Sequence, residues 1–305
     1  MTQIDYHLVD VFTSSKYGGN QLAVFIDYED VVTHDHMLQI ARELNFSEIT
    51  FIKKNHQNEQ FDVRIFTPEY EVPFAGHPSL GTAFVISKYL INLPKEKITL
   101  NLKHAKIDIR LNNRFDVDNS EYVMQQAQPD FLSTYSHQMI VDGLGLSHDD
   151  LDLKFPIEEI STGLPYIIIL VRGLEILNRI KLQPKKVFDF LNQTGRFKTN
   201  SPLGLTTSLF FVADETAEKS SDYSARMFCY ENNHLIEDAA TGSANGCFLA
   251  YLLRNDSKKI KAQVEQGYQM KRKSLISLEG SLADGKYSIN VGGNVKDVGS
   301  GKWYI

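Results

Sequence analysis

Four polar side chains have the types and surroundings that acid–base chemistry on a small anion requires. Glu48 lies in the run Asn45-Phe46-Ser47-Glu48-Ile49-Thr50-Phe51. A carboxylate at the start of a buried strand, among Phe46, Ile49 and Phe51, is costly to keep ionised. Its pKa is therefore expected to rise toward the range of a general acid/base. The alternative is a strand-edge glutamate that points at solvent. His77 stands in Gly76-His77-Pro78, where it is a helix cap, a packed core histidine or a proton carrier. Pro78 beside it is ordinary helix initiation. Asp238 precedes Thr241-Gly242-Ser243. Such residues before a helix either cap it or leave its N–H groups to a bound carboxylate.

The last two positions belong to one pattern written twice. Arg64-Ile65-Phe66 is followed by Glu71 and then by Gly76-His77 and an apolar run. Arg226-Met227-Phe228 is followed by Glu237 and then by Gly242-Ser243 and an apolar run. In each copy Arg-x-Phe precedes Glu-x-x-x-x-Gly. An internal repeat of this kind predicts two similar half-domains, with 64–90 and 226–253 alike as strand, loop and central helix. Two facing helix N-termini would line a cleft with N–H groups and positive dipole ends, which suits an anionic substrate.

The elements that carry these groups follow from periodicity. Thr33 caps a predicted helix over His34 to Leu44, with Met37, Ile40, Ala41 and Leu44 on one face. Ser47 to Ile52 and Phe61 to Phe66 read as strands. His77 to Leu90 is apolar almost all round, which predicts a helix buried inside a domain. Gly242 to Leu253 reads the same way, with Ala244, Gly246 and Ala250 allowing close packing. His137 to Leu144 and Pro184 to Thr194 are further predicted helices.

Composition sets the outer bounds. The 305 residues suffice for two domains with sizeable cores, and 42% hydrophobic with 23% charged residues excludes a disordered chain. The net charge is −6, and Lys271-Arg272-Lys273 is a short solvated rim, so no nucleic-acid partner is expected. The apolar stretch Tyr166 to Val171, a candidate for the longest span, falls far short of the roughly 20 residues that cross a bilayer and reads as a buried strand. No membrane association is expected. No secretory leader is evident, and the two cysteines, Cys229 and Cys247, lack metal-ligand spacing. A reduced, cytoplasmic protein without a metal is the expectation.

Several blocks then occur in a telling order: Val9-Asp10-Val11-Phe12-Thr13 with Gly19-Asn20, Ser47 to Phe51, Arg64 to Pro68, Phe74 to Pro78, Glu237 to Ala244, Gln266-Gly267 and Val291-Gly292-Gly293. Together they resemble the PhzF-like family of phenazine biosynthesis, in the diaminopimelate epimerase-like superfamily, over nearly the whole chain. The resemblance implies an α/β (α+β) fold of two similar domains, each a curved mixed sheet wrapped around a central helix. It implies one domain over 1–117 with a returning C-terminal strand, 295–305, and a second over 118–294. The implied reaction is a cofactor-free isomerisation, in which a proton moves between carbons of a cyclohexadiene amino acid and tautomerisation follows. By resemblance Glu48 shuttles that proton, with His77 and Asp238 as its polar partners beside the substrate. Ser243 and Asn20 contact the substrate, and Gly76 and Gly242 offer it their N–H groups. A homodimer is expected.

Two departures matter. Where the superfamily's epimerases place a catalytic cysteine pair, this chain has Ala75 and Thr241, so a two-thiol racemisation is not expected. The segment Met270-Lys271-Arg272-Lys273-Ser274 has lysines where relatives often have Gly and Pro, which weakens transfer of substrate specificity. Two other readings compete with the isomerase. A glutamate-based epimerase or racemase would invert a stereocentre instead of shifting a double bond. A non-catalytic binding protein on the same fold would keep its ligand affinity without Glu48 and never show turnover.

Overall fold

The computed structural model describes residues 2–56, 60–93, 95–103, 106–198, 204–231 and 234–305. The chain forms two compact units, Met1–Gln125 with Gly292–Ile305, and Gln126–Val291.

The first unit holds strands β1 (Gln3–Val11) and β2 (Asn20–Ile26), helix α1 (His34–Leu44), and strands β3 (Ile49–His56), β4 (Gln60–Phe66) and β5 (Glu71–Val72). Helix α2 (Gly76–Val85) follows, then β6 (Lys97–Asn101), β7 (Lys106–Leu111) and β8 (Glu121–Gln125). The second holds β9 (Asp130–Tyr135), α3 (His137–Leu144), β10 (Ile157–Ser161), β11 (Pro165–Leu170), α4 (Leu174–Arg179) and α5 (Pro184–Gln193). It continues with β12 (Ser208–Ala213), β13 (Tyr223–Glu231), β14 (His234–Asp238), α6 (Gly242–Asn255), β15 (Lys259–Gln266) and β16 (Ser274–Ala283). The last strand, β17 (Lys286–Tyr304), belongs to the second unit up to Val291 and to the first from Gly292.

Both units use one pairing scheme. In the first, β1–β2 is antiparallel, β2–β3 parallel, β3–β4 and β4–β5 antiparallel, β4–β6 parallel and β6–β7 antiparallel. In the second, β10–β11, β11–β12, β12–β13, β13–β14, β13–β15 and β15–β16 repeat that series of senses in the same order. Parallel neighbours need a crossover, and helices supply it. Helix α1 bridges β2 to β3, and α4 with α5 bridge β11 to β12. Helix α2 bridges β4 to β6, and α6 bridges β13 to β15. In the first unit β7 pairs with β8, β8 with β17 and β17 with β1, so the sheet closes into a barrel.

Every residue of α2 is buried, as is α6 from Gly242 to Leu253. This follows from their apolar faces all round. Gly81 shows how tightly α2 is held. A Cβ there would stand 2.5 Å from Leu22 Cδ2 and 2.9 Å from Val11 Cγ2. The surface helices behave otherwise: α1 buries Met37, Ile40 and Ala41 and leaves a polar face outside.

The elements depart from expectation in several places. Regular α-helix in the first unit ends at Val85, and Ile86–Leu90 forms one π-helical turn. Strand β3 starts at Ile49, so Glu48 lies just before it. Helix α4 was not expected. Its six residues carry too little periodic signal to be distinguished from a loop.

Candidate active site

In the first unit the site residues gather at the start of α2. Helix α1 ends on Asn45, whose φ of 52° is the left-handed turn that asparagine tolerates, and its N–H returns to the Ala41 carbonyl. The chain then bends through Ser47 and brings Glu48 to the head of β3. The Glu48 side chain is 21% exposed, and its Oε2 lies 3.7 Å from Nε2 of His77. His77 is the second residue of α2 and is buried. Burial pushes its pKa down to about 3, and only a contact with the Gln21 main chain acts the other way. The imidazole is therefore neutral at physiological pH.

That contact also fixes the tautomer. A main-chain group that favours the protonated ring is a carbonyl accepting from it. Nε2 is buried without a hydrogen-bond partner, so the bonded nitrogen is Nδ1, and Nε2 is left as an acceptor. A carboxylate oxygen and an acceptor nitrogen 3.7 Å apart are too far for a hydrogen bond and too alike to attract. Their arrangement is completed when one of them carries a proton. Asn20, buried at the start of β2, precedes the Gln21 that holds the imidazole and pairs with Val11 across the sheet.

In the second unit the corresponding turn is built around Gln266. Its amide uses all four of its hydrogen-bonding positions. Nε2 donates to the Asp238 carbonyl and to Thr241 Oγ1, both at 3.0 Å. Oε1 accepts from Thr241 N–H and from Asn245 Nδ2, both at 3.2 Å. With Gln266 donating to it, the Thr241 hydroxyl sends its own proton to Asp238 Oδ2, 2.5 Å away. Asp238 thereby accepts a hydrogen bond from a neutral donor. Ser243 Oγ lies 2.7 Å from the hydroxyl of Tyr166, and both side chains are buried.

The caps settle what these helix starts have available. Thr33 and Ser136 cap α1 and α3 through their side chains. Neither Ala75 before α2 nor Thr241 before α6 makes such a bond. Thr241, expected as a cap from its type, has its hydroxyl on Asp238 instead. First-turn N–H groups of both central helices are thus left to another acceptor.

The repeat is reproduced down to side chains. Arg64 forks onto Glu71, with Nε to Oε1 at 2.7 Å and Nη2 to Oε2 at 2.9 Å. Arg226 forks onto Glu237, with both bonds at 2.8 Å. Each guanidinium lies over the phenylalanine two residues on, 5.0 Å from the Phe66 centroid and 4.8 Å from that of Phe228. Phe66 pairs with Glu71 in one hairpin and Phe228 with Glu237 in the other. The fork therefore pins each glutamate five residues ahead of the glycine that opens the central helix. One half differs: Arg226 also donates from Nη1 to the Leu177 and Ile180 carbonyls, closing the end of α4.

Cys247 is unsuited to thiolate chemistry. Cys247 is buried, and burial pushes its thiol up to about 12. The Cys229 thiol lies 3.8 Å from the Ile236 carbonyl on the neighbouring strand.

Known proteins agree with this architecture. The family PhzC-PhzF, phenazine biosynthesis-like protein, matches residues 9–301. The chain belongs to this family. An uncharacterized isomerase of Pasteurella multocida is 31% identical over 100% of this chain and 96% of its own length. The trans-2,3-dihydro-3-hydroxyanthranilate isomerase of Pseudomonas aeruginosa is 29% identical over 98% of this chain and 99% of its own. The crystal structure of a PhzF-family protein from Bacillus anthracis superposes with a TM-score of 0.86, covering 100% of both chains at 23% identity. The protein is an isomerase of the PhzF family.

The expected site residues fall into two groups. Asn20, Glu48, Gly76 and His77 belong to the first unit, and Asp238, Gly242 and Ser243 to the second. Glu48 and His77 meet, and Asp238 joins Ser243's helix through Thr241. Sequence reasoning missed Tyr166, which sits in the apolar run Tyr166 to Leu170 and gives no polar signal. It noted Gln266 only as part of a motif, because nothing in the spacing reveals a fully bonded amide.

Proposed function

We propose that this protein is a cofactor-free isomerase that moves a carbon-bound proton within a small carboxylate-bearing molecule. Glu48 carries the proton, and Asn20, Gly76, His77, Asp238, Gly242 and Ser243 serve the same substrate. The observation that carries this reading is the Glu48–His77 pair: a carboxylate and a neutral acceptor imidazole 3.7 Å apart, at the uncapped start of a buried helix.

Carbon acids are weak, so the base must be shielded from water and the developing charge met by fixed donors. Glu48 abstracts the proton, and the neighbouring Nε2 of His77 can accept a hydrogen bond from the resulting carboxylic acid. That hydrogen bond holds the proton until it returns to a different carbon. N–H groups at Gly76 and Gly242 face no side-chain cap and are suited to hold the substrate's negative oxygens. Asp238, bonded to Thr241, suits a substrate ammonium. The substrate class is that of the Pseudomonas relative's name, a cyclic amino carboxylate with conjugated double bonds. We propose in addition that the two units are the two epimerase-like halves, and that the enzyme acts as a cytoplasmic homodimer.

The test is incubation of the purified protein with trans-2,3-dihydro-3-hydroxyanthranilate in D₂O, with deuterium in carbon followed by NMR. The wild type should shift the double bond. Glu48→Gln should keep its fold and most of its ligand affinity while turnover falls by on the order of 10² to 10⁴, the usual worth of acid–base catalysis. A Glu48→Gln variant working at the wild-type rate would remove Glu48 from the proton's path.

A further inference from the structure

Ser243 is placed like a helix-capping or back-bonding serine but does neither. It is the second residue of α6, yet its hydroxyl bonds to no α6 or N-cap backbone group. Its hydrogen-bond partner is the Tyr166 hydroxyl on β11, at 2.7 Å. Tyr166 is 3% exposed and Ser243 6%. Each hydroxyl can donate or accept, so the distance alone leaves the direction open.

Donor strength decides it. In either direction one buried proton is left without an acceptor among the described residues, so the penalty for an unmet donor does not discriminate. A phenol is the more acidic hydroxyl and the poorer acceptor, and a serine oxygen is the better acceptor. Tyr166 therefore donates, and the proton of Ser243 is the one left over. The phenol keeps its own proton. Burial raises its pKa well above 10, and the Asp238 charge adds to the rise.

We propose that Tyr166 is a positioning residue: its phenol donates to Ser243 Oγ, so that the serine presents its own proton to a carboxylate or oxyanion of the substrate. With one lone pair of Oγ engaged by Tyr166, the serine proton is confined to the two remaining directions about the Cβ–Oγ bond. The hydroxyl becomes a restricted donor beside the uncapped N–H groups of α6. The anion then meets the serine proton together with those N–H hydrogens. A phenylalanine at 166 would fill the same space and lose only this direction. The inference deepens the function proposed above, since it rests on Ser243 contacting an anionic substrate.

The test is a double-mutant cycle read in KM and kcat with trans-2,3-dihydro-3-hydroxyanthranilate. Ser243→Ala should raise KM by roughly 10- to 100-fold, the worth of a hydrogen bond to a charged group. Tyr166→Phe should raise KM by roughly 3- to 10-fold with kcat within about twofold, the worth of one neutral hydrogen bond. On the Ser243→Ala background, Tyr166→Phe should add nothing beyond about twofold. Equal effects of Tyr166→Phe on both backgrounds would overturn the proposal, because a merely structural role does not depend on Ser243. Neutron diffraction from perdeuterated crystals supplies a readout independent of any substrate. A deuteron on Tyr166 directed at Ser243 supports the inference, and a Ser243 deuteron directed at Tyr166 overturns it. If the wild type fails to turn over this compound, the substrate assignment fails alone, and the neutron map still decides the hydroxyl's direction.

Discussion

Acidification should destabilise the first unit through one imidazole. His77 has an ordinary pKa near 6.5 in the unfolded chain, and burial lowers it to about 3 in the fold. Between those values the unfolded chain binds a proton that the folded one refuses, so stability rises with pH across this window. The contribution is complete above pH 6.5 and is lost progressively as pH falls toward 3. Each pH unit corresponds to about 1.4 kcal/mol, which gives about 2 kcal/mol lost by pH 5 and about 5 kcal/mol in all. The single tryptophan, Trp303, packs edge-on against Tyr6 and Phe25 in the same unit, so its fluorescence reports that unit's unfolding. Urea unfolding should be followed at pH 7.5 and pH 5 for the wild type and for His77→Gln. Other titrating groups contribute alike to both proteins, so the difference of differences isolates the imidazole. The wild type should lose about 2 kcal/mol more than the variant. A wild type that lost no more, or gained, would mean that the ring charges against Glu48 in the fold and that its neutrality is wrong.

Two further outcomes follow from the repeat and its turns. Arg226→Ala leaves Glu237 and the Leu177 and Ile180 carbonyls without their donor in a buried place, which should cost about 3–5 kcal/mol. Arg64 is 31% exposed, and Arg64→Ala should cost about 1 kcal/mol. Equal losses in hydrogen-exchange protection of the two hairpins would contradict this asymmetry. Gly267 has a φ of +77°, and a Cβ there would stand 2.4 Å from the Arg272 carbonyl oxygen and 2.5 Å from that of Ala239. Gly267→Ala should therefore destabilise by roughly 1–3 kcal/mol, visible as a lowered Tm, and an unchanged Tm would refute the reading.

Much of this protein was legible in the order of its residues because the relevant forces are local or repeated. Arg-x-Phe followed by Glu-x-x-x-x-Gly was visible twice, and the fork, the ring contact and the hairpin register recur with it. The apolar runs after Gly76 and Gly242 announced buried helices, because a helix without a polar face has nowhere else to go. Thr33 announced a helix start, since a cap acts within three residues.

What the sequence could not decide depends on partners distant along the chain. Glu48 and His77 are 29 positions apart, and only the fold brings their atoms to 3.7 Å. The charge state of His77 reflects the density of atoms around it, which no neighbour in sequence supplies. Thr241 has the composition of a cap, but Gln266, 25 residues on, turns its hydroxyl toward Asp238. Tyr166 looked like one more apolar residue of a strand until a serine 77 positions later gave its hydroxyl a partner. Residue type fixed which bonds each group was able to make, and tertiary structure chose among them by deciding which donors and acceptors were left without water.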